Sequence, residues 1–98
     1  MGKIYLNQTA LKIVVRLYTD IKNATIILKY KKPDGTAGSF NTGITKESIS
    51  KGIINWIPQN VNDLDQKGTW TMWAHATYPG NLVVAGEPFC LEIYQEGN

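Results

Sequence analysis

The fold is decided by one stretch of the chain, Gly68-Thr69-Trp70-Thr71-Met72-Trp73-Ala74-His75-Ala76-Thr77. From Trp70 onward its even-numbered residues are apolar, and its odd-numbered residues are polar with the exception of Trp73. Successive side chains of a β-strand point to opposite faces of the sheet. The alternation therefore predicts a strand with one buried face and one face toward solvent.

Two stretches nearer the N-terminus alternate in the same way. In the first, the inward residues are Leu11, Ile13, Val15 and Leu17, and the outward residues are Lys12, Arg16 and Tyr18. In the second, the inward residues are Ala24, Ile26, Leu28 and Tyr30, and the outward residues are Lys29 and Lys31. Polar residues 20–23 lie between them, and we expect a turn there that makes the two strands neighbours.

The tetrapeptide Lys32-Pro33-Asp34-Gly35 predicts a tight reversal after the second of these strands. Proline presets a negative φ, and glycine tolerates the positive φ that such turns require. Residues 36–42 are rich in glycine and weakly apolar, which indicates an edge strand. Residues 45–50 fit a loop or a single helical turn, whereas residues 52–57 are apolar on both faces and indicate a central strand.

The last strand changes its register part-way along. Its apolar residues fall at even positions in Leu82 and Val84, and at odd positions in Phe89, Leu91 and Ile93. A shift of one residue turns every following side chain to the other face. Both sets can be buried only if one extra residue lies between them, and residues 86–88 are predicted to form that bulge.

Together these stretches predict about seven strands in two antiparallel sheets, an all-β sandwich. The 98 residues suit one domain spanning 1–98. Cys90 is the only cysteine, so no intrachain disulfide can form, as expected of a protein made in a reducing cytoplasm. A net charge of +2 and the lack of a long apolar run give no reason to expect a membrane partner.

The sequence offers little that could catalyse a reaction. His75 is the only histidine, and no nucleophile or acid accompanies it in the spacing that a triad needs. Residues 63–68 superficially resemble a calcium loop, but Lys67 stands at a ligand position, and Ala74 stands where the bidentate glutamate is required. We expect a non-enzymatic protein without a cofactor or bound metal.

Binding to another protein is the more promising interpretation. Trp73 lies on the outward face, where a large apolar side chain gains nothing from the core, and exposed tryptophans are frequent interface anchors. His75 lies beside it, and Trp56 can belong to either face. Four basic residues with Tyr18 beside them are predicted to form one stripe on two neighbouring strands: Lys12, Arg16, Lys29 and Lys31. That stripe fits solvent or an acidic partner better than a nucleic acid, which remains an unlikely partner.

Two groups of residues carry a resemblance to known proteins. Leu64-Asp65-Gln66-Lys67-Gly68-Thr69-Trp70 resembles the corner before the sixth strand of immunoglobulin-like domains, with Trp70 at their tyrosine position. Across the chain, the order of sequence features is similar to that of small immunoglobulin-like proteins encoded among phage and prophage structural genes. The segments that carry this similarity are Lys3 to Leu6 with Gln8 to Ala10, Ala24 to Gly35, Asp63 to Asp65, Gly68 to Trp70 and Gly86 to Pro88. The first half is also similar to the N-terminal domain of phage baseplate upper proteins.

This resemblance implies an immunoglobulin-like sandwich that is a part of a phage virion, made in the host cytoplasm. The implied roles are head decoration, neck, tail, or an adaptor for the baseplate or fibres. The implied partners are other virion proteins, including further copies of this chain in a symmetric assembly. A carbohydrate-binding or adhesion module remains an alternative, since it would also be a β-sandwich with exposed aromatic residues.

Overall fold

The computed structural model describes residues 3–96, and over this range the chain forms nine strands and no helix. The strands are β1 (Ile4–Tyr5), β2 (Ile13–Arg16), β3 (Thr25–Lys31), β4 (Ala37–Phe40), β5 (Ile44–Ser48), β6 (Ile53–Trp56), β7 (Gly68–Tyr78), β8 (Leu82–Ala85) and β9 (Phe89–Tyr94). The prediction of an all-β fold is confirmed. Since these residues include no helix, none is long and apolar enough to cross a membrane.

The strands form two sheets. The larger sheet has six strands in the order β1-β9-β7-β3-β4, with β8 also paired to β7, and the smaller sheet has the order β2-β6-β5. All pairs are antiparallel except β1 with β9, which are parallel. The longest strand, β7, therefore lies in the interior of the large sheet, with β3 on one side and β8 and β9 on the other.

The core lies between the two sheets, and the predicted alternation of β7 is confirmed. Trp70, Met72, Ala74 and Ala76 are buried, whereas the outward residues between them are at least partly accessible. Trp56 of the small sheet stacks on Phe40 of the large sheet, with ring centroids 4.5 Å apart. Each large apolar side chain buried in this way contributes about 1.5–3 kcal/mol relative to exposure.

The bulge predicted at residues 86–88 is confirmed by the strand register. His75 of β7 pairs with Ala85, and Met72 pairs with Phe89. The second segment therefore advances four residues (89 − 85) where β7 advances three (75 − 72), so it contains one extra residue. The backbone N–H of Gly86 donates to the carbonyl of Ala74 at 2.8 Å, which holds the segment against β7.

The reversal after β3 is confirmed as well. The N–H of Gly35 donates to the carbonyl of Lys32 at 2.9 Å, and the N–H of Lys32 donates to the carbonyl of Thr36 at 2.8 Å. The hairpin returns into β4, which has no strand on its other side within residues 3–96 and is the edge strand that the sequence predicts.

Several details of the strand predictions are wrong. Residues 3–96 form nine strands rather than about seven, and Leu82, which the predicted bulge would bury, is 67% exposed. Residues 45–50 are neither a loop nor a helical turn, because most of them belong to β5, a polar edge strand with a register shift between Lys46 and Ser48. In addition, β2 and β3 are not neighbours. The chain crosses from the small sheet to the large one at residues 17–24, with Ile21 and Ala24 buried at the crossing.

The corner before β7 is fixed by short hydrogen bonds. The carboxylate of Asp63 accepts from the backbone N–H groups of Gln59 and Asn60 at 2.8 and 3.1 Å and so caps two backbone donors of the corner. Leu64 is fully buried beneath it. The indole Nε1 of Trp70 donates to the carbonyl of Gln66 at 2.9 Å, which ties the start of β7 back to the corner.

Candidate functional site

Trp73 lies near the middle of the outward face of the large sheet. The strand register places Lys29 of β3 directly across from it, with Ser39 of β4 next in that row. Directly opposite residues of antiparallel strands lie on the same face, about 4.5–5.5 Å apart. Trp73 and Lys29 are half-buried, and a shallow depression of about 380 Å³ opens between them and β4.

His75 extends this surface along β7. It pairs with Ile27 of β3 on one side and with Ala85 of β8 on the other. Beyond it lies Val83 of β8, whose side chain is 54% exposed. We call this surface the Trp73 face: Ile27, Lys29, Thr71, Trp73, His75, Val83 and Ala85. It is a mixed aromatic, aliphatic and basic surface, and its tryptophan is of a residue type enriched at protein interfaces.

The bulge lies directly beside this face. Because β8 ends opposite His75 and β9 begins opposite Met72, residues 86–88 run past Trp73 and Ala74. Bulges commonly redirect side chains near functional sites. Here the bulge leaves Trp73 without a regularly paired cross-strand neighbour on that side among the described residues.

Trp56 is not available to a partner, so its assignment as a binding residue is wrong. Its side chain is fully buried, and its indole Nε1 has no hydrogen-bond partner among residues 3–96. It lies on β6, the middle strand of the small sheet, and faces the core between the sheets. The sequence left its direction open because residues 52–57 are apolar on both faces.

The prediction of a single basic stripe is also wrong. Lys12 directly precedes β2 of the small sheet and Arg16 is its last residue, whereas Lys29 and Lys31 lie on β3 of the large sheet. The two sheets pack through their inner faces, so their outward faces point in opposite directions. Lys29 and Lys31 belong with the surface around Trp73, and Lys12 and Arg16 belong to a second surface.

That second surface is a groove along β2. One depression of about 500 Å³ is lined by Lys12, Val14 and Leu91 among others, and an adjoining one of about 280 Å³ is lined by Arg16 and Tyr18. Tyr18 is 77% exposed and has a φ of +57°, a left-handed conformation that is uncommon for a bulky residue. We call this surface the β2 groove.

The β2 groove was not predicted from the sequence, although one signal was present. Val14 occupies an outward position between Lys12 and Arg16, and it is 49% exposed. An exposed aliphatic residue between two basic residues marks a surface of mixed character. The opposite wall, formed by residues 87–91, could not be found because it depends on which strands lie side by side.

A polar cluster outside these two surfaces stabilises the fold. Lys32 forms an ion pair with Asp65 at 2.9 Å, and its hydrogen bond to Asp65 raises the pKa of the Lys32 ammonium group. The N–H of Thr36 and the side-chain amide of Gln66 hold the pKa of Asp34 below its usual value. These contacts join the β3–β4 hairpin to the corner before β7.

Residues 3–96 contain no group of three or more His, Cys, Asp or Glu side chains placed to hold a metal ion. Cys90 is exposed on β9. No protein-family model matches the chain, and no curated protein sequence is significantly similar to it. Among the described residues, the Trp73 face and the β2 groove are the two candidate sites.

Proposed function

We propose that this chain is an immunoglobulin-like docking domain of a phage virion and that it binds another virion protein through the Trp73 face. The observation that carries the proposal is the position of Trp73, half-buried beside Lys29 on the outward face of the large sheet. Tryptophan is among the residue types on which interface energies depend most.

Support for the immunoglobulin-like assignment comes from the corner before β7. In immunoglobulin-like domains a tyrosine at this corner bonds back to the backbone a few residues upstream. Trp70 makes an equivalent bond to the carbonyl of Gln66, four residues upstream. The two mostly antiparallel sheets with a core between them are compatible with such a domain, although residues 3–96 form nine strands rather than about seven.

In the proposed role the chain catalyses nothing and needs no cofactor. It serves as a head decoration, neck, tail, or baseplate or fibre adaptor, and its partners are the adjoining virion proteins. The polar and apolar mixture of the Trp73 face suits a contact that forms between separately folded proteins.

The test is the substitution Trp73→Ala. Truncating an interface tryptophan can cost about 2 kcal/mol or more of binding, which is roughly a 30-fold loss of affinity. Truncating a half-buried tryptophan outside an interface costs only about 1 kcal/mol of folding stability. Thermal unfolding checks the fold, and co-purification with particles, or binding to isolated capsid, neck and tail proteins, checks docking.

Ile57→Ala is the matched control, because it removes an exposed apolar side chain from the end of β6 in the small sheet. We expect Trp73→Ala to fold and to lose incorporation, and Ile57→Ala to fold and to be incorporated. Normal incorporation of both variants would refute the proposed anchor. Absence of the unmodified chain from purified particles by mass spectrometry, together with a positive glycan array, would favour the carbohydrate-binding alternative.

A further inference from the structure

The outer edge of β2 carries unpaired backbone groups. The N–H of Leu17 donates to the carbonyl of Gly52 at 2.7 Å, in the same register that pairs Val15 with Ile54. Hydrogen-bonded and non-bonded pairs alternate along antiparallel strands. The backbone groups of Val14 and Arg16 therefore point away from β6, and within residues 3–96 no other strand pairs with this edge.

The β2 groove runs along this free edge. Its two depressions share Val14 and Phe89, so they lie side by side along a channel between β2 and residues 87–91. Half-buried Leu11, Phe89 and Leu91 line the channel with apolar surface. From residue 12 to residue 16 the edge is about 13 Å long, since a strand rises roughly 3.3 Å per residue. That length accommodates a strand of about five residues.

The charges around the groove select its occupant. Lys3, Lys12 and Arg16 line it, against a single acidic residue, Glu87. Pairing of β2 with β2 of a second copy, centred on Val14, would place Lys12 opposite Arg16. Like charges directly opposite one another destabilise a strand pair. The groove is thus better suited to an acidic segment than to another copy of this chain.

We propose that the β2 groove binds an extended, acidic segment of a partner protein, which adds to the small sheet as a strand beside β2. Its backbone bonds the free N–H and C=O groups of Val14 and Arg16, and its alternate apolar side chains enter the channel. Its carboxylates lie near Lys3, Lys12 and Arg16. The proposal is independent of the Trp73 face, because the β2 edge belongs to the other sheet.

Selection from a displayed library of random nine-residue peptides tests this proposal, with the whole chain as bait. We expect enrichment of peptides in which Asp or Glu alternates with apolar residues. The charge-reversed variant Lys12→Glu/Arg16→Glu should bind a synthetic selected peptide about tenfold more weakly. The matched control Lys29→Glu/Lys31→Glu, on β3, should bind it unchanged. Failure to enrich acidic peptides, or equal weakening by both variants, would overturn the proposal.

The backbone part of the proposal has its own measurement. On adding the selected peptide, amide hydrogen exchange at Val14 and Arg16 should slow by at least about tenfold, while exchange at Val15 changes little because that amide already points to β6. N-methylation of the peptide should abolish binding when the methylated residue is one whose N–H bonds β2, which is every second residue, and should have little effect at the residues between. Unchanged exchange at Val14 and Arg16, equal effects of N-methylation at all positions, or a dimer formed through β2 would each refute strand addition.

Discussion

Two fully buried tryptophans differ in one hydrogen bond, which makes their stability effects directly comparable. Trp56 and Trp70 both have 0% exposure. The Nε1 of Trp70 donates to the carbonyl of Gln66, whereas the Nε1 of Trp56 has no partner among residues 3–96. The same substitution to Phe should therefore destabilise the chain much more at position 70 than at position 56.

The expected difference follows from the two N–H groups. Each substitution shrinks the ring by a similar volume, so the packing losses largely cancel in the comparison. Loss of the Trp70 hydrogen bond costs about 1 kcal/mol, and removal of the unpaired Trp56 donor recovers about 1–3 kcal/mol of desolvation. Trp56→Phe should thus be more stable than Trp70→Phe by about 2–4 kcal/mol, or roughly 10 °C or more in Tm.

Urea denaturation followed by circular dichroism measures the free energy of unfolding of each variant. The m-value should stay constant, which shows that the extent of unfolding is the same. As a control for ring size, 3-benzothienylalanine replaces the indole N–H by sulfur at nearly constant shape. It should stabilise the chain at position 56 and destabilise it at position 70. Equal losses at the two positions, or the reverse order, would refute the reasoning.

Three further predictions concern the bulge, a turn and a carboxylate. Deleting Glu87 removes the one extra residue and leaves β8 and β9 as one regular strand, so cooperative thermal unfolding should persist. Deleting Cys90 turns apolar side chains of β9 out of the core and should lower the free energy of unfolding much more. Equal losses of stability in the two variants would contradict the bulge. At Gly52, where φ is +69°, an added Cβ would collide with the carbonyl of Thr19. At the control Gly80, φ is +83° and the site is open among the described residues, so urea denaturation should show that Gly52→Ala loses at least about 1 kcal/mol more free energy of unfolding than Gly80→Ala. Equal losses would argue against the clash. Folding lowers the pKa of Asp34, so its stabilising contribution is present above the unfolded pKa and is lost as the pH falls through the folded pKa. The difference in Tm between the unmodified chain and Asp34→Asn should therefore shrink as the pH falls below about 4, and a difference that is independent of pH would contradict this assignment.

The directions of most side chains could be predicted from the sequence because the period of two is a local property. Residues 70–77 alternate without interruption, and the change of parity before Phe89 was enough to locate the bulge. By contrast, β5 was missed because it is an exposed edge strand whose outward residues, Thr45 and Glu47, are polar. Its pattern resembles that of a loop.

Strand pairing could not be predicted, and the candidate sites depend on it. The outward residues of β2 and β3 have the same basic character whether the strands are neighbours or lie in opposite sheets. The order β2-β6-β5 separates Lys12 from Lys29 and creates the β2 groove. For Trp73 the sequence was sufficient, because its outward direction depends only on the alternation within β7.

The strand order also has a consequence for how the chain folds during synthesis. The β3–β4 and β5–β6 pairs join segments that are close in sequence, but β3 also pairs with β7, and β1 pairs with β9. Ile4 pairs with Ile93, a separation of 89 residues (93 − 4). Contacts between distant segments form only after the entropy cost of closing a long loop has been met, so folding is expected on the millisecond-to-second scale. A ribosome-bound chain cannot pair β1 until β9 has emerged, and until then its longest strand, β7, has an exposed edge that makes the nascent chain prone to aggregation.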